Sequence, residues 1–104
     1  MNLCIVKYWI SNDHSEKHKH LQEKIEKAYK EYAQKIIWAT WLIDTSKSAS
    51  SLFNQIKDFI ETDLAIPEKD YDLFVGRIPK NKSNIGKKLD KASMIWIDSK
   101  VVAD

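Results

Sequence analysis

The segment IIWATWLIDTSKSA, residues 36–49, is the most informative for the fold, because an apolar run with two tryptophans is followed directly by polar residues. The odd-numbered and the even-numbered residues of the run are both mostly apolar, which is typical of a strand covered on both faces. The run forms either one long strand or two short strands joined as a hairpin. Residues 35–45 contain no Gly, Asn or Pro to make the hairpin turn, so both interpretations stay open.

The flanking segments supply the other elements. Apolar residues at helical spacing predict one helix ending near Gln34 and a second that follows the serines of TSKSASS and ends near Glu61 or Thr62. Runs rich in β-branched and aromatic residues predict three strands, LCIVKYWI (3–10), YDLFVGRI (71–78) and SMIWID (93–98).

The order of these elements predicts a single α+β domain over residues 1–104. With a hairpin in the middle, the expected fold is a ferredoxin-like βαββαβ sandwich with an extra C-terminal strand and two helices on one face of the sheet. Without the hairpin, the elements make a small α/β sheet. A monomer with helices on both faces of an open parallel sheet is the other architecture that fits the pattern.

The strands are apolar on both faces, whereas two helices on one side cover only one face of an antiparallel sheet. A large uncovered apolar face is unusual for a monomer. We therefore expect a homodimer packed through the open sheet face. The candidate interface residues are Leu3, Ile5, Trp9, Trp41 and Trp96.

Composition limits the remaining choices. No apolar run approaches the about 20 residues that a membrane span needs, and the first residues lack the pattern of a signal peptide, so we expect a cytoplasmic protein with no membrane partner. The lone Cys4 lies among strand residues, where we expect a core side chain rather than a nucleophile.

Positive charge collects in GRIPKNKSNIGKKLDKA, residues 76–92, although the net charge of the chain is only +2. A cluster of this kind is a candidate site for phosphate groups of RNA or DNA. The candidate nucleic-acid-binding residues are Arg77, Lys80, Lys82, Lys87 and Lys88.

The segment DHSEKHKH (13–20) places His14 and His18 four residues apart, on one side of the first predicted helix. Two histidines at this spacing are candidate ligands for a divalent metal. The alternative is that both rings pack at the rim of the core, and we favour it because no further ligand lies close in sequence. We therefore expect no cofactor. The four tryptophans are expected in the core or interface, with Trp9, beside Lys7, as the best candidate for base stacking.

Two segments, ATWLIDTSKSASSLFNQI and DYDLFVGRI, carry a family resemblance within residues 39–78. They resemble the small SinR-like proteins related to the second CRISPR-associated protein and to virulence-associated protein D. The matching residues are Ala39, Thr40, Trp41, Leu42, Ile43, Thr45, Ser48, Ala49, Asp72, Leu73, Phe74 and Val75.

The resemblance implies a ferredoxin-like homodimer that binds nucleic acid, in some members with metal-dependent ribonuclease activity. In the family, an aspartate that follows a tyrosine at the end of the first strand binds the metal. Here Trp9 follows Tyr8, and Asp13 is the first carboxylate, so Asp13 is the candidate catalytic residue.

The leading hypothesis is a homodimeric nucleic-acid-binding or regulatory protein of this family, without catalysis. The alternatives are a protein-binding module of the antitoxin or inhibitor type and a divergent metal-dependent ribonuclease.

Overall fold

A computed structural model describes residues 1–102 of the chain. These residues form four strands and three helices in the order strand, helix, strand, strand, helix, strand, helix, and short 3-10 turns join several of them. The strands are β1 (Asn2–Ile10), β2 (Ala33–Ile37), β3 (Thr40–Thr45) and β4 (Tyr71–Ile78), and the helices are α1 (Lys17–Tyr29), α2 (Ala49–Asp58) and α3 (Lys91–Lys100).

The strands form one sheet in the order β2-β3-β1-β4. Every neighbouring pair is antiparallel, and Val6 in the centre of β1 lies between Trp41 of β3 and Val75 of β4. The predicted α+β class is confirmed, and the parallel-sheet alternative is wrong. The strand predicted at residues 71–78 has the same bounds as β4.

The apolar run that begins at residue 36 forms a hairpin, with Trp38 and Ala39 at the turn between β2 and β3. Ala39 adopts the left-handed backbone conformation that glycine usually adopts in such a turn, with φ of 54°. The Ala39 carbonyl accepts a hydrogen bond from the Tyr8 N–H at 3.1 Å, and Thr40 Oγ1 donates to the Trp38 carbonyl at 3.1 Å. The hydrogen bond from Tyr8 and the local one from Thr40 stabilise a turn that the sequence pattern does not predict.

The first helix ends earlier than predicted, because Lys30 leaves the helical region with φ of 50°. Residues that were expected to extend the helix to Gln34 instead form a 3-10 turn and the start of β2. Tyr29 holds the end of α1 against α2 by donating from its hydroxyl to Gln55 Oε1 at 2.5 Å. No helix within residues 1–102 is both long enough and apolar enough to span a membrane.

One face of the sheet packs against α1 and α2 and forms the main core. Trp41 lies inside this core, and its indole N–H donates to the Tyr8 hydroxyl oxygen at 3.3 Å. Cys4 is buried here as expected, and burial raises the pKa of its thiol. The other large members are Val6, Ile10, Leu21, Ile25, Ile43, Leu52, Ile56 and Ile60.

The other face is partly covered by α3, where the sequence predicted a strand at residues 93–98. This prediction is wrong because Asp90 caps a helix: its carboxylate accepts from the Ser93 N–H at 3.1 Å. A second apolar cluster forms below α3 around Leu3, Leu42 and Ile97, and the residues packed against it include Ile5, Ile36, Ile78 and Trp96. The chain's own helices therefore cover both faces of the sheet where α3 lies. The expectation that a second copy must cover the open face is wrong in this part of the sheet.

Polar contacts hold the C-terminal segment on the sheet. Asp44 of β3 is buried and forms ion pairs with Lys80 at 2.7 Å and with Lys100 at 3.5 Å. The Trp96 indole N–H donates to the Glu31 carbonyl at 3.0 Å. These contacts hold residues 80–100 against the side of the sheet that α3 covers.

Candidate functional site

The end of the sheet that α3 does not reach carries two exposed aromatic side chains. Side chains alternate along a strand, so Lys7 and Trp9 of β1 share a face with Leu3 and Ile5. The register places Phe74 of β4 opposite Lys7, and Asp72 opposite Trp9. We call Lys7, Trp9, Asp72 and Phe74 the open-end patch; they line a shallow depression of about 330 Å³.

Trp9 is 54% exposed and Phe74 is 61% exposed. Two large aromatic side chains in water on adjacent strands contribute little to the stability of the monomer, since the burial that makes aromatics stabilising is absent. Contiguous exposed apolar groups of this kind mark interaction sites. Lys7 and Asp72, both exposed, add one positive and one negative charge to the patch.

The position of the Phe74 ring depends on Gly76, two residues further along β4. A Cβ atom added to Gly76 would lie 3.1 Å from two atoms of the Phe74 ring, closer than ordinary van der Waals contact. The ring therefore lies over the glycine, along the surface of the sheet rather than away from it. Phe74 stays 61% exposed in this position, so a ligand can reach the ring.

The predicted basic cluster is divided in the structure. Lys80 is paired with Asp44, and Lys87 with the Asp98 carboxylate, so both of these charges are already neutralised within the chain. Arg77, Lys82 and Lys88 are exposed. Arg77 lies opposite Cys4, on the α1 and α2 face, so the predicted residues do not form one surface.

The candidate metal and catalytic residues have separate surroundings. His14 Nε2 lies 3.0 Å from Asp70 Oδ2, which joins the β1–α1 turn to the start of β4. His18 packs between aromatic rings, and burial lowers its pKa. Asp13 is exposed in the same turn. Within residues 1–102, no three His, Cys, Asp or Glu side chains are grouped so that they could hold a metal ion.

The five candidate interface residues also differ in environment. Leu3 is 1% exposed and Trp41 is 2% exposed, both within the chain's own clusters. Ile5 and Trp96 are half-buried beside α3. Trp9 remains in the open-end patch, so of these five it offers the largest exposed apolar surface.

A second aromatic site, missed by the sequence analysis, lies beside the hairpin turn on the α1 face. The His18 ring lies near both Trp38 and Tyr8, with centroid distances of 4.7 and 6.0 Å and interplanar angles of 38° and 35°. These rings line a cavity of about 410 Å³ with Ser15, Glu16, Lys19, Gln22 and Ala39, and we call it the ring cavity. No Gly, Asn or Pro marks a turn at Trp38, so the residue was expected in the core or an interface, whereas it is 68% exposed.

No family model and no curated protein matched the chain when it was compared with known proteins.

Proposed function

We propose that the protein binds single-stranded nucleic acid through the open-end patch. The observation that carries this proposal is the pair of exposed aromatic side chains, Trp9 and Phe74, on adjacent strands, with Lys7 opposite Phe74 and Asp72 opposite Trp9. Proteins that bind single strands stack bases on aromatic rings and hold the backbone with positive charges. The depression between the two rings is open to solvent, as a strand lying across the sheet requires.

The proposed fold family is ferredoxin-like. The sheet order β2-β3-β1-β4, with helices connecting β1 to β2 and β3 to β4, supports it. The proposed kinship with the SinR-like proteins depends on this fold and on the residues of the resemblance. Neither the fold family nor the kinship assigns a catalytic step here.

The exposed cations Arg77, Lys82 and Lys88 would add a general attraction for phosphate. Lys80 and Lys87 contribute less, because each would have to leave a carboxylate first. Contacts with phosphate weaken with added salt, whereas stacking depends less on salt. We therefore expect an affinity that falls with salt but keeps a stacking contribution.

The test is fluorescence anisotropy of a labelled twelve-residue oligouridylate or oligothymidylate against the whole chain. Loss of one stacked base costs about 1–3 kcal/mol, so Trp9→Ala and Phe74→Ala should each weaken binding about 5- to 150-fold. The matched control is Ile95→Ala, because Ile95 is equally exposed but lies on α3. Equal affinity of the Trp9, Phe74 and Ile95 variants would overturn the proposal.

Self-association through the open-end patch is the second candidate role. The same exposed rings favour it, because two copies related by a twofold axis would bury Trp9 and Phe74 against one another. The molecular mass in solution, measured by light scattering, distinguishes the two roles. A dimer that Trp9→Glu dissociates, with no oligonucleotide binding, would support self-association instead.

A further inference from the structure

The ring cavity has a lining that folding alone does not require. Trp38 occupies a hairpin turn, where small or polar residues are usual, and it is the most exposed tryptophan of the described chain. The next residue, Ala39, has a left-handed backbone that an alanine adopts at a cost. Exposed aromatic surface and backbone strain at one turn are the features expected of a binding site.

The cavity combines aromatic rings with polar residues. Its volume of about 410 Å³ lies within the range of about 300–1,000 Å³ that small-molecule sites occupy. The tilted rings of Tyr8, His18 and Trp38 form one side of the cavity, and Ser15 and Glu16 also line it. A flat heterocycle with hydrogen-bonding edges fits both parts.

The lysines nearby favour a ligand that also carries an anion. Lys19 lines the cavity. Lys35 places its ammonium group 5.8 Å from the centroid of the Trp38 ring, and it also donates to Gln22 Oε1 at 3.1 Å. Two carboxylates balance them: Glu16 lines the cavity, and Glu26 accepts from Gln22 Nε2 at 3.2 Å and acts with burial to raise the pKa of Tyr8. The Lys35 charge beside the Trp38 ring opposes an organic cation at that ring, which would otherwise suit an aromatic cavity.

We infer that the ring cavity binds a nucleotide, with the base against the exposed Trp38 ring and the phosphate near Lys19. The ligand is either a free mononucleotide or one nucleotide of a strand. The cavity lies on the α1 face and the open-end patch on the α3 face, so this inference stands without the proposed function.

The test uses two arms with the whole chain. In the first, AMP and UMP are titrated while the four indole N–H signals are followed by two-dimensional NMR, each signal being assigned with a Trp→Phe variant. We expect saturable shifts of the Trp38 signal and none of Trp96, whose indole N–H donates to the Glu31 carbonyl beside the α3 cluster. Adenosine should bind more weakly than AMP, because it lacks the phosphate.

In the second arm, calorimetry compares variants that retain the wild-type melting temperature. Trp38→Ala should weaken AMP binding about 5- to 150-fold, Trp38→Phe should weaken it less, and Lys19→Glu should remove the preference for AMP over adenosine. Ile95→Ala, at an exposed apolar residue of α3 that belongs to neither site, is the matched control and should leave AMP binding unchanged. If Trp38→Ala weakens an oligonucleotide but AMP does not bind, the ligand is a nucleotide within a strand.

The inference is overturned if neither mononucleotides nor oligonucleotides respond to Trp38→Ala and Trp38→Phe. Loss of oligonucleotide binding in Trp9→Ala alone would then support the open-end patch and reject the ring cavity. AMP binding that depends on Trp38, without any effect of Trp9 or Phe74 on oligonucleotide binding, would support the ring cavity and reject the open-end patch.

Discussion

Among residues 1–102, three residues other than glycine have positive φ angles, namely Lys30, Ala39 and Ala65. Ala65 follows the π-helical turn Phe59–Asp63 that ends α2, and the next residue, Ile66, donates its N–H to the Ile60 carbonyl at 3.0 Å. Glycine is the usual residue at such a helix end, because it has no Cβ. The side chain of Ala65 is exposed, so it contributes little packing in return for the strain.

Ala65→Gly should therefore increase the free energy of unfolding by up to about 1 kcal/mol. The relief of a left-handed alanine, about 1–2 kcal/mol, exceeds the entropy that glycine adds to the unfolded chain, about 0.4–1 kcal/mol. Urea denaturation measures the difference.

The matched control is Ala28→Gly, which changes an exposed residue inside α1. There the same substitution should lower stability by about 1 kcal/mol. A decrease of similar size at both positions would mean that the backbone at Ala65 is not strained.

At the scale of elements, α3 shows how far sequence reasoning reaches. Met94, Ile95, Trp96 and Ile97 favour a strand by composition, and a short apolar run does not distinguish strand from helix. The deciding signal is Asp90 placed three residues before Ser93, a pairing typical of a helix start. In β4, by contrast, the turn residues around Pro67 and the following alternation were enough to predict the strand.

The cap of α3 should respond to pH. Hydrogen bonds from Ser93 lower the pKa of the Asp90 carboxyl. A lowered pKa in the folded state means that the charged form stabilises the fold at neutral pH, and that this stabilisation is lost as the pH falls through the lowered value.

Asp90→Ala should therefore lower the melting temperature at pH 7, and the difference from wild type should shrink as the pH falls towards 3. Circular dichroism melts at several pH values measure it. A difference that stays constant with pH would show that the carboxylate charge is not involved.

The candidate sites were predictable only in part, for reasons that also belong to the elements. Alternation along β1 placed Lys7 and Trp9 on one face, but it could not tell that α3 covers Leu3 and stops short of Trp9. Trp38 could not be assigned to a turn, because its backbone is fixed by the contact between Ala39 and Tyr8. That contact is distant in sequence and leaves no local pattern.

At the scale of the whole molecule, Asp44 joins the sheet to the C-terminal segment. Its carboxylate is 8% exposed and meets the ammonium groups of Lys80 and Lys100. Both lysines are about one-fifth exposed, so solvent screens the pairs in part. The cluster around Leu3, Leu42 and Ile97 depends on these contacts to keep α3 in place.

Asp44→Ala should lower the free energy of unfolding by about 2–3 kcal/mol, less than the full cost of breaking a buried ion pair. It should also loosen α3 and expose the apolar cluster, which increases the fluorescence of a bound naphthalene sulfonate dye. Asp98→Ala breaks the exposed pair with Lys87 and should cost less than about 1 kcal/mol. Equal losses in the two variants would contradict a special role for Asp44.

Tyr8 and Trp9 are neighbours in β1, yet one lines the ring cavity and the other the open-end patch. Inserting or deleting a single residue ahead of them would exchange the two sides, since each step along a strand reverses direction. Evolution can therefore tune either surface by replacing side chains but not by changing the length of β1. Descendants of this gene should keep a constant spacing from Leu3 to Trp9, while their loops drift in size.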